Sequence, residues 1–412
     1  MNFRATAFLS IIPVTLGVLA ACSSDAASTT PATTTGDAGA AAAQATAGDP
    51  AAVLEAYATN LYAAYGAAVA DEATFSTAAN AFVAAPTAAG LTALQTAWLA
   101  SRANYMLTEG ARFYDGPIDV APVNHEALVN SWPLDEAYID YTTDKTTLAV
   151  DDTVGFVNSP SLMANITVAA IDAAHAEGGD DHISDGWHAL EFLLWGQALD
   201  TVGPGKRAHT DYILGGVRPN ADRRGTYLKA TVSGISTHLI AVHDAWAPAA
   251  KYRTSFTAGG YTSIGKIFSG LGRFSKGELA SQRINAAYES KDRRDQHDCF
   301  SSETLTDYDR DARGVLAIYT GTLGGGSGLG VSSLVAKVNP TLDTHVKAAI
   351  QASIDAINAI PKPFEASIAG NDSSAGRTAI RDAVVKLRAQ GNLFAEAATA
   401  LGLTVAVPDS ND

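Results

Sequence analysis

Cysteine is almost missing from this chain: Cys22 and Cys299 are the only two in 412 residues. A disulfide framework is therefore excluded as the source of its stability. Positive charge is also scarce, with 28 Lys and Arg against 43 Asp and Glu, a formal net charge of -15. Phosphate backbones need a basic stripe, so nucleic acid is excluded as a partner, whereas an acidic surface is compatible with handling cations. After the first 22 residues no apolar run approaches the length of a membrane helix. Convincing runs of alternating polar and apolar residues are absent as well, which leaves an all-α fold built as helical bundles. The His-Glu-x-x-His pattern of helical zinc proteases does not occur. What the chain does have is 47% hydrophobic residues and only 17% charged ones. That is enough for two domains or one internally duplicated domain.

The most informative stretch is Gly186-Trp187-His188-Ala189-Leu190-Glu191-Phe192-Leu193-Leu194-Trp195-Gly196. Ser184-Asp185 before it is a helix start signal and Gly196 a stop signal. His188 and Glu191 share one face at 3.6 residues per turn, and the remaining positions are apolar on every side. Such a helix is buried, so an imidazole and a carboxylate stand one turn apart inside a core. A buried carboxylate needs a charge partner, dense hydrogen bonding or a metal. The pair is either a satisfied polar pair that fixes helix register or two ligands of a cation completed from other helices.

The first 22 residues read as a processing signal, with Arg4 followed by an apolar run from Ala5 to Val18. Leu19-Ala20-Ala21-Cys22 looks like a lipobox, which makes Cys22 the expected lipidation site and the membrane a partner through the lipid. Asp does not follow Cys22 directly, a pattern that goes with outer-membrane delivery, facing the periplasm or the cell surface. Residues 23–49 are Ala, Thr, Ser, Gly and Asp and read as a flexible tether reaching on the order of 30 Å. Helical spacing then marks Leu54, Tyr57, Leu61 and Tyr65. A second helix carries Leu94, Trp98, Arg102 and Tyr105 and delivers Glu109 to its end. A carboxylate there is electrostatically disfavoured, so Glu109 calls for a salt bridge to Arg102 or Arg112, or for a cation.

Residues 162–176 read as a helix. Gly203-Pro204-Gly205 is the expected boundary between an N-terminal half, 50–202, and a C-terminal half, 203–412. Helices follow along 228–246, 263–289, 342–357 and 380–394. Gly321 to Gly330 lacks the Gly-Lys-Ser/Thr ending of a phosphate loop and reads as a plain flexible loop. His175, His182, His209, His238, His243 and His345 are expected in the core or at the surface, since none has a partner at ligand spacing within an apolar shell.

Taken in order, several segments resemble the imelysin family. The match to Gly-x-His-x-x-Glu is Gly186, His188 and Glu191. Thr108-Glu109-Gly110-Ala111-Arg112-Phe113, Gly116-Pro117-Ile118-Asp119 and Asn130-Ser131-Trp132-Pro133-Leu134-Asp135 precede it. Arg223-Arg224-Gly225-Thr226-Tyr227-Leu228 and His297-Asp298-Cys299-Phe300-Ser301 follow it. The resemblance implies two helical-bundle halves related like a duplication, with these motifs meeting at a cleft. It also implies either envelope iron uptake, alongside other uptake proteins, or a metallopeptidase. The chain departs from the pattern after Phe300, where Ser301-Ser302-Glu303-Thr304-Leu305 replaces a more polar run, and at Arg293 and Arg294, which replace acidic residues. On the iron reading, Glu109, His188, Glu191 and His297 are the expected ligands. Arg112, Asp119, Trp132, Asp135 and Ser301 are then expected around them or in the cleft. Zinc is the alternative metal, with Glu109 as general base of a peptidase. A third reading is a binding module for a small anionic or carbohydrate ligand, with Trp132, Arg112 and Arg223 lining the cleft.

Overall fold

Apolar residues recurring every three or four positions make nearly every segment helical. The computed structural model of the protein describes residues 35–120 and 122–410. Within them the chain is all-α apart from loops and one two-stranded ribbon, β1 (Thr142–Thr143) against β2 (Val150–Asp151). The signal segment, Cys22 and residues 23–34 of the expected tether lie outside the described residues.

Helix α1 (Thr35–Ala47) corrects the remainder of that tether. Its lack of large side chains suggested a chain unable to order itself, yet Ala is the best helix former and small residues permit close approach. A Cβ on Gly402 would come within 2.5 Å of Ala40 Cα. Tyr261 Oη donates to the Gly48 carbonyl at 2.7 Å, and Lys337 Nζ to the Ala47 carbonyl at 3.0 Å.

Helix α2 (Ala51–Ala84) buries Leu54, Tyr57, Leu61, Tyr65, Phe75 and Phe82 along one stripe. Helix α3 (Ala88–Met106) is capped by Thr87, whose hydroxyl accepts from the Gly90 N–H at 3.0 Å. Short helices α4 (His125–Asn130), α5 (Glu136–Ile139), α6 (Gly155–Asn158) and α7 (Val168–Ala174) follow. Only α7 remains of the helix expected over 162–176, because Thr167 caps it with a bond from Ala170 N at 3.2 Å. Next come α8 (Gly186–Trp195), α9 (Ala221–Ala245) and α10 (Lys251–Thr257). Helix α9 lies beyond Gly203-Pro204-Gly205 yet packs on α2 and α8. The helix packing therefore divides after α10 rather than at residue 203.

The second group begins with α11 (Tyr261–Arg273), which runs directly into a π-helical segment, Phe274–Asn285, and then α12 (Ala286–Ser290). Helices α13 (Thr304–Thr320), α14 (Ser332–Val338), α15 (Pro340–Asn358), α16 (Phe364–Ala369) and α17 (Ala375–Ala400) complete it, with α17 against α11, α15 and the π segment. The Gly-rich loop between α13 and α14 is docked on α2, which corrects its reading as a plain flexible loop. Asn60 Nδ2 donates to the Gly321 carbonyl at 3.0 Å, and a Cβ on Gly324 (φ +60°) would sit 2.6 Å from the Asn60 carbonyl oxygen. Among the described residues no helix is long and apolar enough to cross a membrane. The two groups meet where α3 and the turn that follows it pack on α13 and that turn meets the π segment.

Candidate metal centre

Helix α8 has the bounds its caps specify, and all ten of its residues are buried. Asp185 Oδ1 accepts from Gly186 N at 2.8 Å, and Gly196 closes the helix at φ +67°. Gly186 has φ +88°, and a Cβ there would stand 2.6 Å from the Val129 carbonyl oxygen. The first glycine of Gly-x-His-x-x-Glu is thus fixed by close approach of α4, not by chemistry.

His188 Nδ1 points toward Glu191 Oε2 at 3.4 Å. The other oxygen of Glu191 accepts the N–H groups of Phe300 and Ser301 at 3.1 and 2.6 Å, tying the 297–301 loop to α8. That loop delivers His297 against His188, with ring centroids 4.6 Å apart and edge to face. Asp298 Oδ1 lies 3.6 Å from His188 Nδ1. His188, His297 and Asp298 each present a ligand atom within 4.8 Å of the others, and all three are buried. His188 Nε2, both ring nitrogens of His297 and both oxygens of Asp298 lack hydrogen-bond partners. His297 Nδ1 is 3.2 Å from Asp307 Oδ2, though without the alignment of a hydrogen bond. Buried polar atoms are rarely left unpaired, and this concentration of them makes the three residues a candidate cation seat.

The electrostatics agree with that use. Burial, with the cationic Arg283 beside it, depresses the His297 pKa to about 3. Burial, His297 and Arg102 hold His188 well below its ordinary value. Both imidazoles are therefore neutral and keep a lone pair at physiological pH. Burial raises Asp298 strongly, and the negative Asp307 raises it further. Burial acts on Asp307 in the same direction, but Arg102 and His297 together outweigh it and hold Asp307 well below the usual carboxylate range. Arg102 Nε donates to Asp307 Oδ2 at 3.1 Å, its Nη2 makes a second, short contact there, and the same Nη2 is 3.4 Å from Asp298 Oδ1.

Glu109 is not in this group. Helix α3 stops at Met106, and a 3₁₀ turn, Glu109–Ala111, carries Glu109 into a guanidinium cluster. Arg112 Nη1 donates to Glu109 Oε2 at 2.8 Å, and Arg283 Nη2 makes a short contact with the same oxygen. Burial alone would raise the Glu109 pKa, but Arg112 and Arg283 overcome it and bring it down to about 2. The folded-state pKa is depressed, so this stabilisation is complete above the ordinary carboxylate pKa of about 4.5 and is lost as pH falls toward 2. Glu109→Gln should therefore lie roughly 3 kcal/mol below the parent protein at pH 6, and the gap should close by about pH 2 in denaturant titrations at stepped pH.

The other expected residues have structural placements. Arg112 Nη2 bonds Glu126 Oε2 at 2.8 Å, and its Nε is 3.5 Å from Asp119. Asp119 accepts the Phe113 N–H at 2.8 Å. Asp135 caps α5 by accepting from Ala137 N at 3.0 Å. Arg223 donates to the carbonyls of Phe156, Val157 and Met163, away from any cleft. Ser301 contributes its N–H to Glu191 rather than a ligand. Arg293, one of the departures from the pattern, donates to the carbonyls of Asp200, Gly203 and Cys299 and so braces the ligand loop.

Trp132 separates the centre from solvent. Its ring meets His297 edge to face at 4.6 Å, while its other side lines a cleft of about 470 Å³ with Arg112, Glu126, Glu278 and Asp295. Sequence reasoning missed Asp298, Asp307 and Arg283 as parts of the centre. Asp298 was within reach, standing beside His297 in the same matched segment. Asp307 and Arg283 carry no local signal.

The chain matches the family model described as Peptidase_M75, Imelysin, over residues 61–394. None of the curated proteins matches it. Among solved structures it is similar to a protein described as an iron-regulated protein A precursor from Parabacteroides distasonis, with TM-score 0.62 and 19% identity, covering 85% of this chain and 95% of that one. At that identity the likeness speaks to the fold alone. The family match spans most of the chain, and this protein belongs to the imelysin family.

Proposed function

We propose that the protein holds an iron ion, or a similar divalent cation, at His188, His297 and Asp298, and serves iron uptake in the cell envelope. A lipid on Cys22 tethers it, and other envelope uptake proteins are its partners. The observation that carries the reading is that these three buried residues each bring a ligand atom within 4.8 Å of the others while five of their nitrogen and oxygen atoms have no hydrogen bond. Mixed imidazole and carboxylate donors suit iron. In this reading Glu191 acts behind His188: with the Nδ1 proton held toward Glu191, the unpartnered Nε2 keeps its lone pair for the cation. The acidic side chains of the cleft draw cations toward Trp132. The name of the similar solved structure, an iron-regulated protein, adds support.

The peptidase alternative fits less well. Its nominated base, Glu109, is held at a pKa of about 2 and is engaged by two guanidiniums, so it is a poor proton acceptor near neutral pH. The test is calorimetry of the full chain, purified without chelator, with iron(II), iron(III) and zinc, beside His188→Ala/Asp298→Asn. Near-stoichiometric iron binding that the double variant loses supports the reading. Equal iron binding by both proteins, or binding by neither, would sink it. Zinc binding with peptide cleavage that the variant loses would promote the peptidase.

A further inference from the structure

The apolar stripe of α2 carries a carboxyl. Glu72 lies on the buried face with no exposed surface, and neither of its carboxylate oxygens has a hydrogen-bond partner. It is close enough to Asp185 to feel that charge. Asp185 is fully buried too, and with Oδ1 spent on capping α8 its Oδ2 is unpartnered. That oxygen rests against α9 where a Cβ on Gly234 would lie 2.8 Å from it. One turn along the same face of α9 stands His238, whose Nε2 is 3.5 Å from Asp172 Oδ1. Asp172, Asp185 and His238 place one ligand atom each within 4.8 Å of one another.

This cluster differs from the His188 centre in its charge balance. Arg102 and Arg283 face that centre, whereas among the described residues neither Glu72, Asp185 nor Asp172 has an ion pair with Lys or Arg. Among the described residues their one ionic contact is that of Asp172 with His238. The other titratable groups around His238 are His125, whose Nδ1 is 3.1 Å from His238 Nδ1, and His175 beyond α7. Of two facing Nδ1 atoms only one can carry the shared proton. If His238 donates it, its Nε2 lone pair points at Asp172, an arrangement that a cation between them satisfies. Three buried or half-buried carboxyls without a basic partner are costly unless protonated or neutralised by an ion. Asp172 and Asp185 are near enough to share a proton, the protonated alternative that a cation would displace. The Asp172 side chain keeps 28% of its surface exposed, so an ion can reach the cluster from solvent without passing Trp132.

We propose that Asp172, Asp185 and His238 form a second site, independent of the His188 centre, for a divalent transition ion of the zinc class. One imidazole with two carboxylates is a donor set of that kind. Asp185 belongs to both neighbourhoods, since it caps the helix that carries His188.

The test uses the full chain, freed of metal, titrated with zinc by calorimetry and with cobalt(II) by visible absorption. His188→Ala serves as the background, so that the answer does not depend on the iron site. In that background about one equivalent of zinc should still bind, and cobalt should show the intense bands of a low-coordinate site. Adding Asp172→Asn or His238→Gln should weaken zinc by a hundredfold or more, with helical content unchanged by circular dichroism. Asp172 is only partly buried, so its variant is expected to fold and decides the matter if His238→Gln does not. Zinc that fails to bind the His188→Ala protein, or binds it equally well with Asp172→Asn, would overturn the proposal.

Discussion

Arg283→Met is expected to cost about 4 kcal/mol of folding stability, the largest loss of any single polar substitution around the centre. The guanidinium is fully buried and reaches three carboxyls: Glu278 from Nε at 3.0 Å, Asp311 from Nη1 at 3.0 Å, and Glu109 from Nη2. It also stacks over Trp132 at 5.1 Å. Met has nearly the same reach but no charge, so Glu109 would be left ionised in the core with Arg112 alone. Removing one partner of a buried ion pair is far more damaging than removing both, because the orphaned charge keeps its desolvation cost. Arg283→Met/Glu109→Gln should therefore be more stable than the sum of the two single losses implies. Arg283→Lys should recover only part, since one ammonium cannot span three acceptors held in a fork geometry. Chemical denaturation of the four proteins at pH 7 checks this. A loss below about 1 kcal/mol for Arg283→Met would mean that water already reaches the cluster.

The fate of this network shows what the sequence could and could not reveal. Helix α8 was legible to its end residues, because Asp185, Gly196 and the unbroken apolar run are local signals. That His188 and Glu191 stand side by side was legible for the same reason, and the matched segments pointed to the loop that brings His297 against them. Of the two readings of Glu109 the salt bridge to Arg112 is the one seen, while its place at the end of α3 was misjudged because its spacing continues the stripe of Arg102 and Tyr105. The structure breaks that spacing after Met106, where Thr108 N turns back to the Tyr105 carbonyl at 2.8 Å. Arg283 was invisible for a different reason. It pairs with Glu278 five residues earlier, which share a face only in a π-helix, and a 3.6-residue pattern does not reveal that geometry. His238 was set aside for want of a partner along its own helix. Its partners Asp172 and Asp185 come from α7 and the cap of α8, and only the packing of α7, α8 and α9 unites them. Local chemistry was readable, whereas pairings between helices were not.

Glu191→Gln is expected to lower iron affinity by about 10- to 100-fold while leaving the fold nearly intact. The substitution is isosteric, and the Gln carbonyl oxygen can still accept the Phe300 and Ser301 N–H groups that Glu191 Oε1 accepts now. The amide nitrogen then faces His188 Nδ1 in place of a carboxylate oxygen. A donor there requires Nδ1 to accept, so the ring proton moves to Nε2, the nitrogen otherwise without a partner. His188 would present an N–H to the cation instead of a lone pair. This is a tautomer effect, and it separates a positioning role for Glu191 from a role as ligand. If Glu191 orients His188, Glu191→Gln and His188→Ala should lose similar affinity, and the double variant little more than either alone. If Glu191 binds the cation directly, the two losses should add. Nitrogen-15 shifts of the His188 ring provide the independent readout, since they report which nitrogen carries the proton. A parent-like tautomer in Glu191→Gln, with iron binding unchanged, would remove Glu191 from the centre and leave it as the clamp between α8 and the 297–301 loop.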